Sequence, residues 1–127
     1  RRNTKQRDAI AACFTGENRP LTPVEAHTIV LKDCPSLGIA TVYRTINAFV
    51  ASGFLVPIVI GGTTRYELAN KLHHYHFYCQ ECGRAFCLED CPVTEARLAP
   101  KGFIVESHEL VVSGTCRSCS QKDMRGE

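Results

Sequence analysis

Eight of the 127 residues are cysteines, and four of these form two Cys-x-x-Cys pairs, Cys79-Gln80-Glu81-Cys82 and Cys116-Arg117-Ser118-Cys119. Two residues between cysteines let both sulfurs of one turn face a single ion, and two such turns complete a tetrahedron suited to zinc. The 33 residues between Cys82 and Cys116 exceed a minimal zinc ribbon, so the ion is expected to tie together the ends of a small β subdomain. Two redox-active pairs are the competing chemistry, but paired tight turns are better explained by one closed site. In a secreted protein of this size, eight cysteines would suggest four disulfides. The opening Arg1-Arg2-Asn3-Thr4-Lys5 has none of the apolar stretch of an export signal, and 44% of the chain is hydrophobic, enough to build a core without covalent staples. Thiolate–metal chemistry in the cytoplasm is therefore expected.

A second group of donors lies just upstream, Glu67 followed by His73-His74-Tyr75-His76. Alternate residues of a strand share a face, so His74 and His76 point one way, and His73 and Tyr75 the other. Two imidazoles at i and i+2 can grip a metal that a carboxylate or thiolate completes. Cys87, Cys91, Glu95 and His108 are the nearby candidates. Cys13 and Cys34 fall in helical or connector sequence and read as small buried hydrophobes.

The elements that carry these donors follow from periodicity. Ile10, Cys13 and Phe14 mark an amphipathic helix that ends near Gly16. A second helix starts at Thr22-Pro23-Val24-Glu25, where Thr22 caps, Pro23 takes the first position and Glu25 completes a capping box; Val24, Thr28 and Leu31 give its apolar-leaning face. A third runs from Ile39 to Ser52, with Val42, Ile46, Phe49 and Val50 as a buried stripe and Gly53 as its stop. Thr41, Tyr43, Arg44 and Asn47 lie on or beside its opposite face, offering donors to phosphates and base edges. Phe54–Ile60 and Thr63–Leu68, joined by Gly61-Gly62, read as a β-hairpin, and Pro57 suits an edge strand.

Three short helices and a hairpin make a winged helix-turn-helix, in which Arg65 on the wing and Lys5 and Arg7 near the first helix can reach phosphates. Charge agrees: residues 1–65 carry eight Lys and Arg against four acids, a net of +4, and residues 66–127 carry seven against nine, a net of −2. The second half reads as short strands at Phe77–Cys79, Ala85–Leu88, Phe103–Ser107 and Glu109–Ser113, with a short helix near Pro92–Leu98. Those strands are too few for an independent sheet, so pairing with a second copy is expected to extend it.

No apolar run is long enough to span a membrane, and no membrane partner is expected. Enzyme readings fail on motif. Neither the His-x-Glu with Pro-Cys-x-x-Cys of zinc deaminases nor a His-Glu-x-x-His is present. A site closed by four cysteines also offers no open position for catalysis.

The combination resembles the ferric uptake regulator family of bacterial repressors. The likeness covers nearly the whole chain and is carried by Gly38-Ile39-Ala40-Thr41-Val42-Tyr43-Arg44-Thr45, by Arg65-Tyr66-Glu67-Leu68, by the His73–Cys82 segment and by the closing Cys-x-x-Cys. It implies an α+β protein: a winged-helix DNA-binding domain over 1–69, then a small α/β metal-binding dimerisation domain over 70–127 with a structural zinc on Cys79, Cys82, Cys116 and Cys119. It further implies a regulatory metal site near the hinge on Glu67, His74, His76 and a further ligand, which falls on Cys87. An accessory site would fall on His73, Glu95 and His108, and Tyr43 and Arg44 match the family's DNA-contacting positions. The implied partners are a palindromic double-stranded DNA operator and a second copy of the chain.

Two departures bear on the metal. Iron and peroxide sensors place a histidine just before the second helix, where this chain has Pro20, and a carboxylate where it has Cys87. Two nitrogens, one oxygen and one sulfur suit tetrahedral zinc better than Fe2+ or Mn2+. A regulator of zinc uptake is therefore expected; an iron or peroxide-stress regulator, or a thiol redox-sensing repressor using Cys87 and Cys91, is the alternative.

Overall fold

A computed structural model of the chain describes residues 2–124, with side chains from 4 to 121. The chain divides into two compact units, Arg1–Lys71 and Leu72–Glu127. The outer ends of the two expected domains, residues 1 and 125–127, lie outside the described residues.

The first unit runs α1 (Arg2–Glu17), α2 (Pro23–Val30), α3 (Ile39–Ala51), β1 (Leu55–Ile60) and β2 (Thr63–Leu68). Its core gathers Ile10 and Phe14 of α1, Ala26 and Val30 of α2, Val42, Ile46 and Phe49 of α3, with Leu21 and Leu55. The expected capping box forms: the Glu25 N–H donates to Thr22 Oγ1 at 3.0 Å, and the Thr22 N–H donates to Glu25 Oε1 at 2.8 Å. The inward face of α2 differs from expectation, since Pro23, Ala26 and Val30 are buried while Val24 is 58% exposed and Thr28 faces out. Both sets satisfy helical spacing. The choice is made by Leu21, whose N–H and C=O bridge to Tyr66 at 2.9 Å each way and fix the entry into α2.

α3 buries its expected stripe and closes on a Schellman motif. The Phe54 N–H donates to the Phe49 carbonyl at 2.9 Å and the Gly53 N–H to the Val50 carbonyl at 3.1 Å, with Gly53 at φ +83°. The accompanying apolar contact is an edge-to-face pair of Phe49 and Phe54, 5.0 Å between centroids. β1 and β2 pair antiparallel from Leu55↔Leu68 to Ile60↔Thr63, through Gly61 and Gly62 at φ +64° and +76°, the conformation a two-residue hairpin turn requires.

Period two then decides the face of β2. Arg65 and Glu67 share one face and are buried, while Thr64 on the opposite face is exposed. The expectation that Arg65 reaches phosphate is thereby corrected: only 4% exposed, its Nε donates to the Ile60 carbonyl at 3.2 Å and its Nη1 lies 3.6 Å from Glu25 Oε1.

The second unit contains β3 (Tyr75–Cys79), β4 (Ala85–Leu88), a 3₁₀ turn (Glu95–Arg97), β5 (Val111–Gly114) and α4 (Arg117–Met124). The strand order is β4-β3-β5, with β4 antiparallel and β5 parallel to β3. The strand expected at Phe103–Ser107 does not form. That run is irregular, with Phe103 69% and Ile104 88% exposed, because neither a pairing strand nor a packing surface covers it among the described residues. The helix expected near Pro92–Leu98 shrinks to the 3₁₀ turn, and α4, which the sequence reading missed, carries Cys119 in its first turn.

Candidate metal centres

The four-cysteine cluster is assembled by backbone turns. Cys79 ends β3, Gly83 at φ +78° turns the chain back after Cys82, and the Gly83 N–H donates to the Cys79 carbonyl at 2.9 Å. Gln80 N–H donates to the Gly114 carbonyl at 2.8 Å, which brings the end of β5, and with it Cys116, beside β3. The four sulfurs lie within 4.8 Å of one another, with Cys79···Cys119 and Cys82···Cys116 both 3.8 Å apart. A tetrahedral edge is about 1.6 times the bond, so sulfurs about 2.3 Å from zinc stand about 3.8 Å apart, and the cluster fits that ion.

The electrostatics of the cluster lower two of its thiols, Cys79 and Cys116, and raise a third, Cys119. Burial pushes Cys79 up, but the backbone N–H groups of Cys82, Cys116 and Glu81 outweigh it and bring the thiol down to about 6. The Cys116 N–H donates to Cys79 Sγ at 3.3 Å, and the Cys82 N–H at 3.4 Å. Burial, followed by its hydrogen bond with Cys116, pushes Cys119 up to about 12. Arg84 joins the two turns: its Nε donates to Cys82 Sγ at 3.3 Å and its Nη2 to Cys116 Sγ at 3.6 Å, while its guanidinium stacks over Phe86 at 5.4 Å. Four thiolates around Zn2+ leave a net charge of −2, which this cation offsets. Sequence reasoning missed Arg84; its place right after Cys-x-x-Cys-Gly was the available signal.

His74, His76 and Cys87 form the second group, their donor atoms within 4.8 Å of one another. His76 pairs directly with Cys87 across β3–β4, which is why a residue eleven positions away in sequence shares its face. The two Nε2 atoms stand 3.1 Å apart, and His74 Nδ1 donates to the Leu72 carbonyl at 2.9 Å, a bond that puts the ring proton on Nδ1 and makes Nε2 the acceptor nitrogen. His76 is buried and Cys87 half-buried. Glu67 is buried on β2 of the first unit.

His73, which precedes β3, meets His108 with Nε2 atoms 3.1 Å apart. The expected third member, Glu95, lies one step behind: its Oε2 accepts from His108 Nδ1 at 2.9 Å. Cys91 takes the place facing the pair, with Sγ 3.5 Å from His108 Nε2. Hydrogen bonds from Cys91, then Glu95, raise the His108 imidazole above its ordinary range, while the Val93 N–H, then His108, lowers Cys91.

On the first unit, Tyr43, Arg44 and Asn47 are exposed on α3, and Arg44 Nη2 donates to Thr41 Oγ1 at 3.0 Å. Lys5 and Arg7 are exposed on α1, with the Arg7 guanidinium held 5.4 Å over the Phe49 ring. Cys13 and Cys34 are buried and belong to no donor cluster among the described residues, and burial pushes the Cys13 thiol up to about 11.

A winged helix whose third helix exposes Tyr43, Arg44 and Asn47, joined in one chain to a four-cysteine cluster that fits zinc, is the arrangement of a metal-responsive transcription regulator. The ferric uptake regulator family model matches residues 1–113. The Ferric uptake regulation protein of Campylobacter jejuni is 32% identical over 126 residues, covering 94% of this chain and 80% of that protein. Among solved structures, a zinc-bound manganese uptake regulator is 28% identical with a TM-score of 0.78, covering 87% of each chain. FurB from M. tuberculosis, a zinc uptake regulator, is 30% identical with a TM-score of 0.52, covering 93% of this chain and 95% of its own. The chain belongs to the ferric uptake regulator family.

Proposed function

We propose that the chain is a sequence-specific repressor of metal-uptake genes whose regulatory ion is zinc. The observation that carries this reading is the pairing of two imidazole nitrogens 3.1 Å apart with the thiol that faces His76 across β3–β4. Sulfur in place of a carboxylate moves the donor set from hard oxygen ligands, suited to Mn2+, towards zinc. Glu67 supplies the oxygen ligand, completing a two-nitrogen, one-oxygen, one-sulfur set with His74, His76 and Cys87. The four-cysteine zinc is structural, since four closed ligands leave it no position to exchange through.

The regulator works as a homodimer in the cytoplasm. Exposed Phe103, Ile104, Val111 and Val112, with β5 at an open sheet edge, supply apolar area and backbone groups for a second copy. The first unit is the DNA-binding domain and the second the dimerisation domain. Metal at the Glu67/His74/His76/Cys87 site narrows the angles the two domains sample. The two α3 helices then lie about 34 Å apart, one DNA turn, and read a palindromic operator. Without the ion the competent population falls, and apparent affinity falls in proportion. Tyr43, Arg44, Thr41 and Asn47 contact bases and backbone, with Lys5 and Arg7 on phosphates.

Fluorescence anisotropy with an operator duplex, under reducing conditions, tests this. Zn2+ is expected to raise affinity at lower free concentration than Fe2+ or Mn2+. Binding indifferent to every metal but abolished by peroxide would instead establish the thiol redox reading on Cys87 and Cys91.

A further inference from the structure

The geometry points to His27 as a positioning residue for DNA recognition, one that sets the angle at which α3 leaves the helix-turn-helix connector; the inference rests on α3 being the helix that reads DNA. His27 sits half-buried in the last turn of α2, and its Nε2 donates to the Leu37 carbonyl at 2.8 Å, two residues before α3 begins. That carbonyl lies outside the α3 ladder, whose first bond runs from the Val42 N–H to the Gly38 carbonyl. The connector itself is a run of turns. The Asp33 and Cys34 N–H groups both donate to the Val30 carbonyl at 2.9 Å, and the Leu37 N–H donates to the Cys34 carbonyl at 3.0 Å. Cys34 and Leu37 anchor it in the core. The His27 bond then closes the loop from α2 to the entry of α3.

The start of α3 supplies little restraint of its own. Gly38 at the N-cap has no side chain to cap with, and the Val42 N–H reaches its carbonyl only at 3.3 Å. Its φ is −89°, and a Cβ there would meet nothing within 4 Å, so the fold leaves room for a capping serine or aspartate that the sequence does not use. The entry angle therefore depends on the packed core and on His27. The consequence grows along the helix. At about 1.5 Å per residue Asn47 lies about 12 Å beyond Ile39, so a tilt of about 10° moves it by about 2 Å. A hydrogen bond to a base edge tolerates about 0.5 Å. Lys5 and Arg7 stand on α1, and phosphate contacts from them carry no sequence information. Losing the His27 bond should therefore cost discrimination between sequences rather than general DNA affinity.

The test uses the reduced, zinc-loaded full-length protein and a duplex that the parent selects from a random-sequence library, compared by anisotropy with a scrambled duplex of equal length. His27→Gln keeps an N–H donor near the place of Nε2, His27→Asn is one methylene too short to reach the carbonyl, and His27→Leu keeps the volume without a donor. His27→Gln should stay within about threefold of the parent on both duplexes. His27→Asn and His27→Leu should bind the selected duplex about tenfold more weakly, the loss of about one base contact, and the scrambled duplex as the parent does. Should the leucine variant fail to fold, the two amides, which differ in reach, decide the matter. In the unsubstituted protein, NMR should show the His27 ring proton on Nε2 and slow to exchange. Equal affinity of all three variants for the selected duplex, an equal loss on the scrambled one, a glutamine that does not rescue, or a ring proton on Nδ1 overturns the proposal. A parent that still prefers the selected duplex then keeps the DNA-binding reading, whereas a parent that prefers no duplex removes both.

Discussion

Replacing Arg65 with Met separates a structural arginine from a phosphate-reading one. In the structure its Nε donates to the Ile60 carbonyl at 3.2 Å, and its Nη1 lies 3.6 Å from a Glu25 carboxylate that is 26% exposed. A hydrogen bond from a charged donor contributes about 1.5–3 kcal/mol. The ion pair adds at most about 1 kcal/mol, because water reaches Glu25 and Thr22 N–H already satisfies one of its oxygens. Methionine keeps the stem's packing, so the expected loss is about 2–4 kcal/mol. In a unit of this size that lowers Tm by about 10–20 °C. Thermal unfolding of the zinc-loaded protein measures the loss, and operator anisotropy across a salt series measures the DNA term. The salt slope should stay unchanged at temperatures where the variant is folded. If Tm holds and the slope drops by about one, Arg65 contacts phosphate in the complex and the structural reading is refuted.

Arg44→Ala and Tyr43→Phe should weaken operator binding by about 1–3 kcal/mol each if they read bases, with zinc content and dimerisation unchanged by mass spectrometry and sedimentation. Arg84→Gln should leave the fold intact but speed zinc release from the four-cysteine site; a chromogenic chelator reads this, and a rate equal to the parent's would show that the Arg84–sulfur bonds do nothing for retention. Cys87→Asp should shift the regulatory preference from zinc towards Mn2+ and Fe2+, seen as a changed order of metals in the anisotropy assay.

Local rules made much of this molecule legible. The capping box at Thr22 and Glu25, the glycine stop after α3, the Gly61-Gly62 turn and each Cys-x-x-Cys turn depend on residues a few positions apart, and each is present. His74 meets His76 and His73 meets His108, although β3 begins only at Tyr75, so strand alternation by itself accounts for His76 alone. What failed needed knowledge of a distant partner. Val24 and Ala26 are equally good inward positions until Leu21 pairs with Tyr66. Arg65 looks like an exposed wing residue until its hairpin face is known to turn towards Glu25. Cys91 lies in irregular chain and Glu95 starts a single 3₁₀ turn, where no period tells which side chain meets which nitrogen of His108. Phe103–Ser107 has strand-like residues but no neighbour to pair with among the described residues.

The proposed function rests on a division of labour: one zinc would hold the second unit together, while exchangeable metal on the proposed regulatory ligands would control DNA binding. The most direct test is mild chelation of the purified protein, with zinc per chain and operator affinity measured on the same sample. One zinc per chain should remain, with affinity at least about tenfold lower, the effect of about 1.4 kcal/mol, and restored by added Zn2+. Full operator affinity with only that one zinc left would contradict the account.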